Sequence, residues 1–262
     1  MQNVNLMAHR ITVYSIIALL ALPIMATFVY SLSSHWGASI LPDGFTFKWY
    51  AELFSDSRFI AAFGRSLFVC VLALVLAMLL MLPTIFVVFY YFPQYDKVMN
   101  ILILLPFAVP PVVSSVGLLQ FYADSPFTML GTPWILIGTY FTIALPFIYR
   151  AVSNSFIAIN VKDLVDAAHL LGASTPKAFL FVILPNLKKG IMASMFLSFS
   201  FLLGEFVFAN ILVGTRYETL QVYLYNMRQT SGHFTSALVM TYFAFIFLCT
   251  WLGSRFSKGN LS

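Results

Sequence analysis

The chain has 262 residues, of which 61% are hydrophobic and 9% are charged, whereas soluble domains have roughly 45–50% apolar and about 25% charged residues. A soluble fold of this length cannot bury so much apolar surface. The 13 Gly, 12 Pro and 2 Cys exclude a collagen-like chain and a disulfide scaffold. The composition therefore predicts a polytopic membrane protein.

Six apolar stretches are long enough to cross a bilayer as helices, because a hydrocarbon core of about 30 Å needs about 20 apolar residues. In chain order they are residues 11–32, 63–89, 99–121, 133–156, 191–213 and 234–256. The first exceeds the roughly 7–15 apolar residues of a signal peptide, so we interpret it as a retained helix. The prediction is an all-α polytopic membrane protein, with six transmembrane helices in one transmembrane domain, residues 1–262.

The basic residues between these stretches favour one orientation, because cytoplasmic loops carry an excess of Lys and Arg. With the N-terminus inside, nine basic residues are cytoplasmic: Arg10, Lys97, Arg150, Lys162, Lys177, Lys188, Lys189, Arg255 and Lys258. Five lie outside: Lys48, Arg58, Arg65, Arg216 and Arg228. Six spans then place both termini in the cytoplasm.

The cytoplasmic stretch 160–187 has the local chemistry of two short helices separated by a break. Asp166 lies near the start of the first helix, where negative charge suits the helix dipole. Gly172 lies where a C-terminal cap is expected. Pro176 suits the first turn of the second helix, and Pro185 is expected to end that helix.

Both short helices are predicted to be amphipathic. The predicted apolar face of the first consists of Leu164, Ala167, Ala168 and Leu171, and that of the second of Phe179, Val182 and Ile183. Such helices either lie in the lipid interface or dock onto a partner protein, for which small alanines leave room. The pattern by itself leaves both interpretations open.

Eight residues of this stretch resemble a known motif: Asp166, Ala167, Ala168, Gly172, Ala173, Phe179, Leu184 and Pro185. Their order and spacing resemble the "EAA" loop of ATP-binding-cassette importer permeases. The resemblance implies that stretch 160–187 is a coupling loop, whose helix docks in a groove of a separate ATPase subunit. Asp166 stands where the name-giving residue of the family is Glu, which keeps the charge on a shorter side chain.

The third span resembles the Pro-rich third span of the type I importers in this family. It contains Pro106, Pro110 and Pro111. A proline within a span removes a backbone donor and breaks or bends the helix, which is tolerated where the freed groups face protein or a wet cavity. The resemblance covers most of the chain and implies a core permease region of about residues 61–252.

The polar residues of the fifth span suggest a translocation path. At 100° per residue, Ser194, Ser198 and Glu205 fall on one side of a continuous helix. A carboxylate inside a span is costly and usually faces a cavity or a partner. Glu205 therefore either lines the path, attracting a cationic group or holding a gate, or bonds to a partner permease subunit, or lies at the outer interface.

Two short motifs point to different substrates. Phe47-Lys48-Trp49-Tyr50 resembles the outer segment of polyamine-type permeases, although an aromatic interfacial helix would have the same composition. Leu203-Gly204-Glu205-Phe206 resembles the fifth span of molybdate and sulfate permeases. An unpaired Glu205 favours a cation or zwitterion. The resemblance thus implies a polyamine or 2-aminoethylphosphonate, with an oxyanion as the alternative.

The sequence has no motif for catalysis or for binding nucleotides or metals. It lacks a Walker-type loop, and its four histidines lack metal-ligand spacing: His9, His35, His169 and His233. An ion-driven secondary transporter would show paired repeats or several intramembrane charges. A membrane enzyme would show clustered His or carboxylates. We therefore predict a transport subunit without its own ATPase site.

The family resemblance also implies the partners and the location. The partners would be a cytoplasmic ATP-binding subunit that carries the ATP and Mg, a second permease subunit, an extracytoplasmic solute-binding protein and the lipid bilayer, with no nucleic acid. Whether the permease pair is a homodimer or a heterodimer stays open, although permeases of this kind usually pair with a different chain. The location would be a prokaryotic inner membrane.

Overall fold

The computed structural model describes residues 2–37, 39, 42–124, 126 and 128–258. The helices are α1 (Gln2–Leu32), α2 (Lys48–Ser55), α3 (Ser57–Tyr91), α4 (Asp96–Ala108), α5 (Pro111–Ala123), α6 (Pro133–Ala158), α7 (Val161–Leu170), α8 (Thr175–Ala178), α9 (Leu184–Asn186), α10 (Lys188–Leu203), α11 (Leu220–Met227) and α12 (Gly232–Lys258). A 3-10 turn occupies Pro93–Tyr95, and π-helical turns occupy Phe179–Ile183 and Ala209–Val213. The only extended pairing in the described ranges is an isolated bridge between Ser33 and Phe45.

Four helices are long and apolar enough to cross a membrane, and six spans result if each of two bent helix pairs counts as one. The single helices are α1, α3, α6 and α12, and the bent pairs join α4 with α5 and the α8–α9 segment with α10. Each of the six predicted apolar stretches consists mainly of residues in helices. The predicted all-α class is confirmed.

The chain divides into two compact units. The first comprises Met1–Ile60 and Leu224–Phe245, and the second comprises Ala61–Tyr223 and Ile246–Ser262. The residues that carry the predicted coupling loop, the proline breaks and Glu205 all belong to the second unit.

Aromatic packing holds the first unit together. The ring of His233 stacks on Tyr30 with centroids 4.1 Å apart, and its other neighbour is Trp49 at 5.5 Å. The Trp49 indole N–H donates to the Ser33 carbonyl (2.8 Å), and the Tyr50 hydroxyl lies 2.7 Å from Ser31 Oγ. The predicted outer aromatic segment thus forms α2 and bonds to the end of α1.

Helix α6 forms the centre of the second unit, where it packs against α4 and α10. Large side chains of α6 are almost fully buried, including Leu136, Ile148 and Phe156. The hydroxyl of buried Tyr149 donates to Asp96 Oδ1 (2.6 Å), which fixes α6 to the first turn of α4.

Two predicted spans are broken rather than continuous. The third bends by 86° between α4 and α5, at Val109–Pro110. Pro110 cannot extend α4 and Pro111 starts α5, whereas Pro106 lies inside α4. The predicted fifth span ends as an α-helix at Leu203, and helical structure resumes only beyond Phe206.

Candidate functional site

The first helix of the coupling loop ends in a hydrogen-bonded cap centred on Gly172. Its φ is +81°, its N–H donates to the His169 carbonyl (2.9 Å), and the Ala173 N–H donates to the Ala168 carbonyl (3.0 Å). This pair of bonds is the Schellman motif, which requires a left-handed residue. A Cβ on Gly172 would meet nothing within 4 Å. The backbone conformation, and not a lack of space, therefore demands glycine here.

Asn160 redirects the chain from α6 into α7. It adopts a left-handed conformation (φ 48°, ψ 68°), which Asn tolerates better than most residues. Its side-chain amide donates to the Asp163 carboxylate in the first turn of α7. The loop is thus defined at both ends of its first helix by local backbone geometry.

Helix α7 buries Val161, Val165 and Ala168 within this chain. Of the predicted apolar face, Ala168 is buried, Leu164 is half-buried, and Ala167 and Leu171 are exposed. Leu170 and Leu171 are 89% and 88% exposed. The side of α7 that packs on the rest of the chain is therefore the one that carries the two valines.

The second arm of the coupling loop continues further than predicted. Residues Phe179–Ile183 form a π-helical turn, and α9 runs past Pro185 to Asn186. The expectation that Pro185 ends the helix is wrong, because proline is tolerated in the first turn of the new segment. The chain instead turns at buried Leu187, with a bend of 69° between this arm and α10.

Residues at the end of α3 contact both arms of the loop, and the sequence reasoning did not single them out. The Tyr90 hydroxyl donates to Asp166 Oδ1 (3.1 Å), and the rings of Phe86 and Phe179 lie 4.8 Å apart. Of the loop's motif residues, Asp166 and Phe179 therefore contact this chain's own membrane helix. The available signal was the aromatic run Phe89–Phe92 at the end of the second predicted span.

A cavity of about 860 Å³ lies beside the two helix breaks. Its described lining includes Phe107, Ser114, Tyr122, Trp134, Thr139, Thr142, Ser200, Phe201, Gly204 and Glu205. Pro106 and Pro111 also line it. Among the lining residues that the structure describes, Glu205 is the only Asp, Glu, Lys, Arg or His.

The carboxylate of Glu205 caps the helical segment that follows the break. One oxygen accepts from the Phe208 N–H (2.9 Å) and the other from the Ala209 N–H (3.2 Å). These donors belong to the first turn, where backbone N–H groups have no helical acceptor. A negative charge is also favourable at this end of a helix.

The predicted polar stripe does not form as one surface. Ser194 and Ser198 are fully buried and do not line the cavity, and the Ser194 hydroxyl donates to the Ile191 carbonyl (2.8 Å). The predicted stripe requires a continuous helix from Ser194 to Glu205, whereas α10 ends at Leu203. Glu205 alone of the three reaches the cavity.

Three phenylalanines from three helices pack together at one end of the cavity. Phe107 of α4, Phe147 of α6 and Phe201 of α10 have ring centroids 4.9–6.3 Å apart. Phe107 and Phe201 line the cavity, whereas Phe147, four residues after the lining residue Ile143 on α6, does not. No group of three or more potential metal ligands occurs among the described residues.

Discontinuous membrane helices beside a cavity are a recurring feature of transporters. The sequence profile of the family described as "Binding-protein-dependent transport system inner membrane component" matches residues 82–260. The chain belongs to this family. It is therefore a multi-pass inner-membrane permease subunit of a binding-protein-dependent ATP-binding-cassette importer, and not an enzyme.

Individual relatives agree with this family. The chain is 28% identical over 206 residues to PhnV of Salmonella typhimurium strain LT2, a permease named for 2-aminoethylphosphonate transport, covering 79% of this chain and 77% of that one. It is 28% identical over 217 residues to the spermidine/putrescine transport system permease protein PotC of Escherichia coli K12, covering 81% and 79%.

A solved structure has the same fold. It is a bacterial ABC transporter involved in the import of the acidic polysaccharide alginate, with a TM-score of 0.65 at 15% identity, covering 99% of this chain and 97% of that one.

Proposed function

We propose that this permease subunit imports a small amine, either a polyamine such as spermidine or putrescine or the zwitterion 2-aminoethylphosphonate. Transport would proceed by alternating access. A separate cytoplasmic subunit would bind ATP and Mg and drive the change through the coupling loop. A second permease subunit would complete the path, an extracytoplasmic binding protein would deliver the substrate, and both termini would be cytoplasmic.

The charge of the cavity is the observation that carries this proposal. Glu205 supplies one negative charge, and no basic residue occurs in the described lining. Its two backbone bonds leave further carboxylate lone pairs for a ligand. Aromatic faces such as those of Trp134 and Tyr122 attract cations through their quadrupoles. An oxyanion would find no cationic partner among these residues, so the charge favours the amine.

The exposed end of α7 supports coupling to an ATPase. Leu170 and Leu171 are almost fully exposed next to the Gly172 cap, and exposed apolar side chains that lie side by side mark an interaction surface. Permeases of this family operate with an ATPase subunit. We therefore assign these two leucines to the contact with that subunit.

The substrate is tested by reconstituting the chain in nanodiscs with the ATPase, the second permease subunit and the binding protein of the same transport system. ATPase activity is measured with putrescine, spermidine, 2-aminoethylphosphonate or molybdate on the binding protein. Stimulation by one of the amines supports the proposal. Stimulation by molybdate alone would replace it with oxyanion transport, and no stimulation by any binding-protein ligand would contradict it.

The contact between the two leucines and the ATPase subunit is tested with Leu170→Ser and Leu171→Ser. Both variants remove exposed apolar area and leave the backbone cap at Gly172 in place. Both variants are expected to weaken co-purification of the ATPase subunit. Ile157→Ser is the matched control, because Ile157 is also an exposed apolar residue (68%) but lies on α6, outside the loop. Equal ATPase recovery from all three variants would contradict the assignment.

A further inference from the structure

The end of α3 carries an aromatic pad, Phe86, Tyr90 and Tyr91, that contacts both arms of the coupling loop. Tyr90 donates its hydroxyl to Asp166 in α7 (3.1 Å), and its ring lies edge-on to His169 with centroids 6.3 Å apart. The other two members reach the second arm, where the Tyr91 hydroxyl donates to Thr175 Oγ1 (3.4 Å) and Phe86 packs on Phe179.

The two arms are also bonded to each other at this pad. His169 Nε2 lies 3.2 Å from Thr175 Oγ1, the atom that also accepts from Tyr91. Phe86 and Tyr90 share a face of α3, since residues four apart lie on the same side of a helix, whereas Tyr91 lies about 100° further around the helix axis. The end of α3 thus meets the loop at four points.

The opposite part of α3 is bonded to the outer loop of the same unit. Buried Ser66 accepts a hydrogen bond from the Leu220 N–H at the start of α11 (2.7 Å). Both sets of contacts lie on α3, a single helix from Ser57 to Tyr91 that contains Pro83 between them. The helix is therefore a contiguous physical connection between the coupling loop and the outer loop.

From these contacts we propose that Tyr90 is a positioning residue, which ties the acidic residue of the coupling loop to α3 so that movement of the loop reaches the outer side. This inference rests on the proposed function. Asp166 is exposed, and the Tyr90 bond occupies one of its acceptor positions. The carboxylate therefore contacts its own chain while facing the surface on which an ATPase would dock.

The test uses Tyr90→Phe, which removes the hydroxyl and keeps the ring. Tyr95→Phe is the matched control, because Tyr95 follows closely in the chain, is 53% exposed and makes ring contact with Phe92. The readout is the ratio of ligand-stimulated to basal ATPase activity in the reconstituted complex, with ATPase co-purification measured alongside. Tyr90→Phe is expected to lower the ratio about threefold to tenfold while the ATPase still co-purifies, and Tyr95→Phe is expected to match the wild type.

A double-mutant cycle with Asp166→Ala separates the bond from general damage. If the two residues act through one bond, Tyr90→Phe adds little loss of stimulation in the Asp166→Ala background. A Tyr90→Phe ratio equal to that of Tyr95→Phe, or full additivity in the cycle, would overturn the inference. Absence of ligand stimulation in the wild type would overturn the proposed function as well, so the two failures are distinguishable.

Discussion

Gly172 is a residue whose requirement comes from the backbone alone. Its backbone has the left-handed conformation, and a Cβ at this position would meet no other atom within 4 Å. Substitution by alanine leaves the fold free of clashes but forces an unfavourable conformation. The two cap bonds that His169 and Ala168 accept depend on this conformation.

Gly172→Ala is expected to destabilise the loop by about 1 kcal/mol, and Gly172→Asn by less, because Asn visits the left-handed region more readily. The thermal unfolding midpoint of the purified chain in detergent measures the overall effect. Proteolysis within 160–187 reports the loop itself. Gly117→Ala, in α5 with open space and ordinary φ, is the control and is expected to leave stability unchanged or raised. Equal behaviour of Gly172→Ala and Gly117→Ala would contradict the backbone argument.

The side chain of Glu205 both caps a helix and lines the cavity. Its carboxylate satisfies two backbone donors at the helix break while its surface lines the cavity. The capping role explains why an acidic residue is retained inside a predicted span, where an uncompensated carboxylate is costly.

Glu205→Ala is expected to lose both capping bonds and to cost roughly 1 kcal/mol of stability. Glu205→Gln keeps one acceptor oxygen and is expected to lie between Ala and wild type in thermal unfolding midpoint. Glu52→Gln serves as the carboxylate control, since the Glu52 carboxylate forms an exposed ion pair with Lys48, which contributes little to stability. If Glu205→Ala has the same thermal unfolding midpoint as the wild type, the Glu205 carboxylate does not stabilise the protein by capping the helix.

At the level of helices, the contact between α6 and α10 depends on one small residue. A Cβ on Gly190 would lie 1.9 Å from Ser155 Oγ and 2.8 Å from Ser155 Cβ. Rotating the serine side chain relieves the first contact but not the second. Close helix approach through small residues is the usual packing device within membranes.

Gly190→Ala is therefore expected to separate α6 from α10 and to cost about 1–3 kcal/mol. Two second changes, both at Ser155, should restore stability to different extents. Ser155→Ala in the same chain removes only the Oγ contact, whereas Ser155→Gly removes both and should restore most of the thermal unfolding midpoint. If Ser155→Gly gives no more recovery than Ser155→Ala, the steric account is incorrect.

For the whole molecule, the distribution of basic residues predicts the orientation in the membrane. Nine lie in the segments predicted to be cytoplasmic and five in those predicted to be outside. Lys177 in the predicted coupling loop, and Lys188 and Lys189 directly after it, belong to the set predicted to be cytoplasmic.

Alkaline phosphatase fusions test this orientation, because the enzyme is active only outside the cytoplasm. A fusion after Lys177 is expected to be inactive and a fusion after Arg216 active. Green fluorescent protein at the same points should give the reverse pattern, which controls for expression. Phosphatase activity at Lys177 with none at Arg216 would invert the topology.

Much of the architecture was predictable because apolar length and local backbone chemistry are properties of contiguous sequence. Four of the six apolar stretches proved continuous helices and the other two proved helical on either side of a break, and the glycine cap at Gly172 follows from the conformation that only glycine adopts easily. The break at Pro110 was likewise predictable, since proline removes a backbone donor wherever it occurs. The family followed from the spacing of the loop motif and is supported by the profile match.

By itself the sequence determined the helical membrane class and the family, because these depend on short-range patterns. Only the tertiary structure decided that α10 ends before Glu205, that Val161 and Val165 are the buried face of α7, and that Tyr90 bonds to Asp166. In a chain that is 61% hydrophobic, nearly every helix face is apolar. Periodicity then cannot select the buried face, and contacts between residues 76 positions apart depend on packing alone.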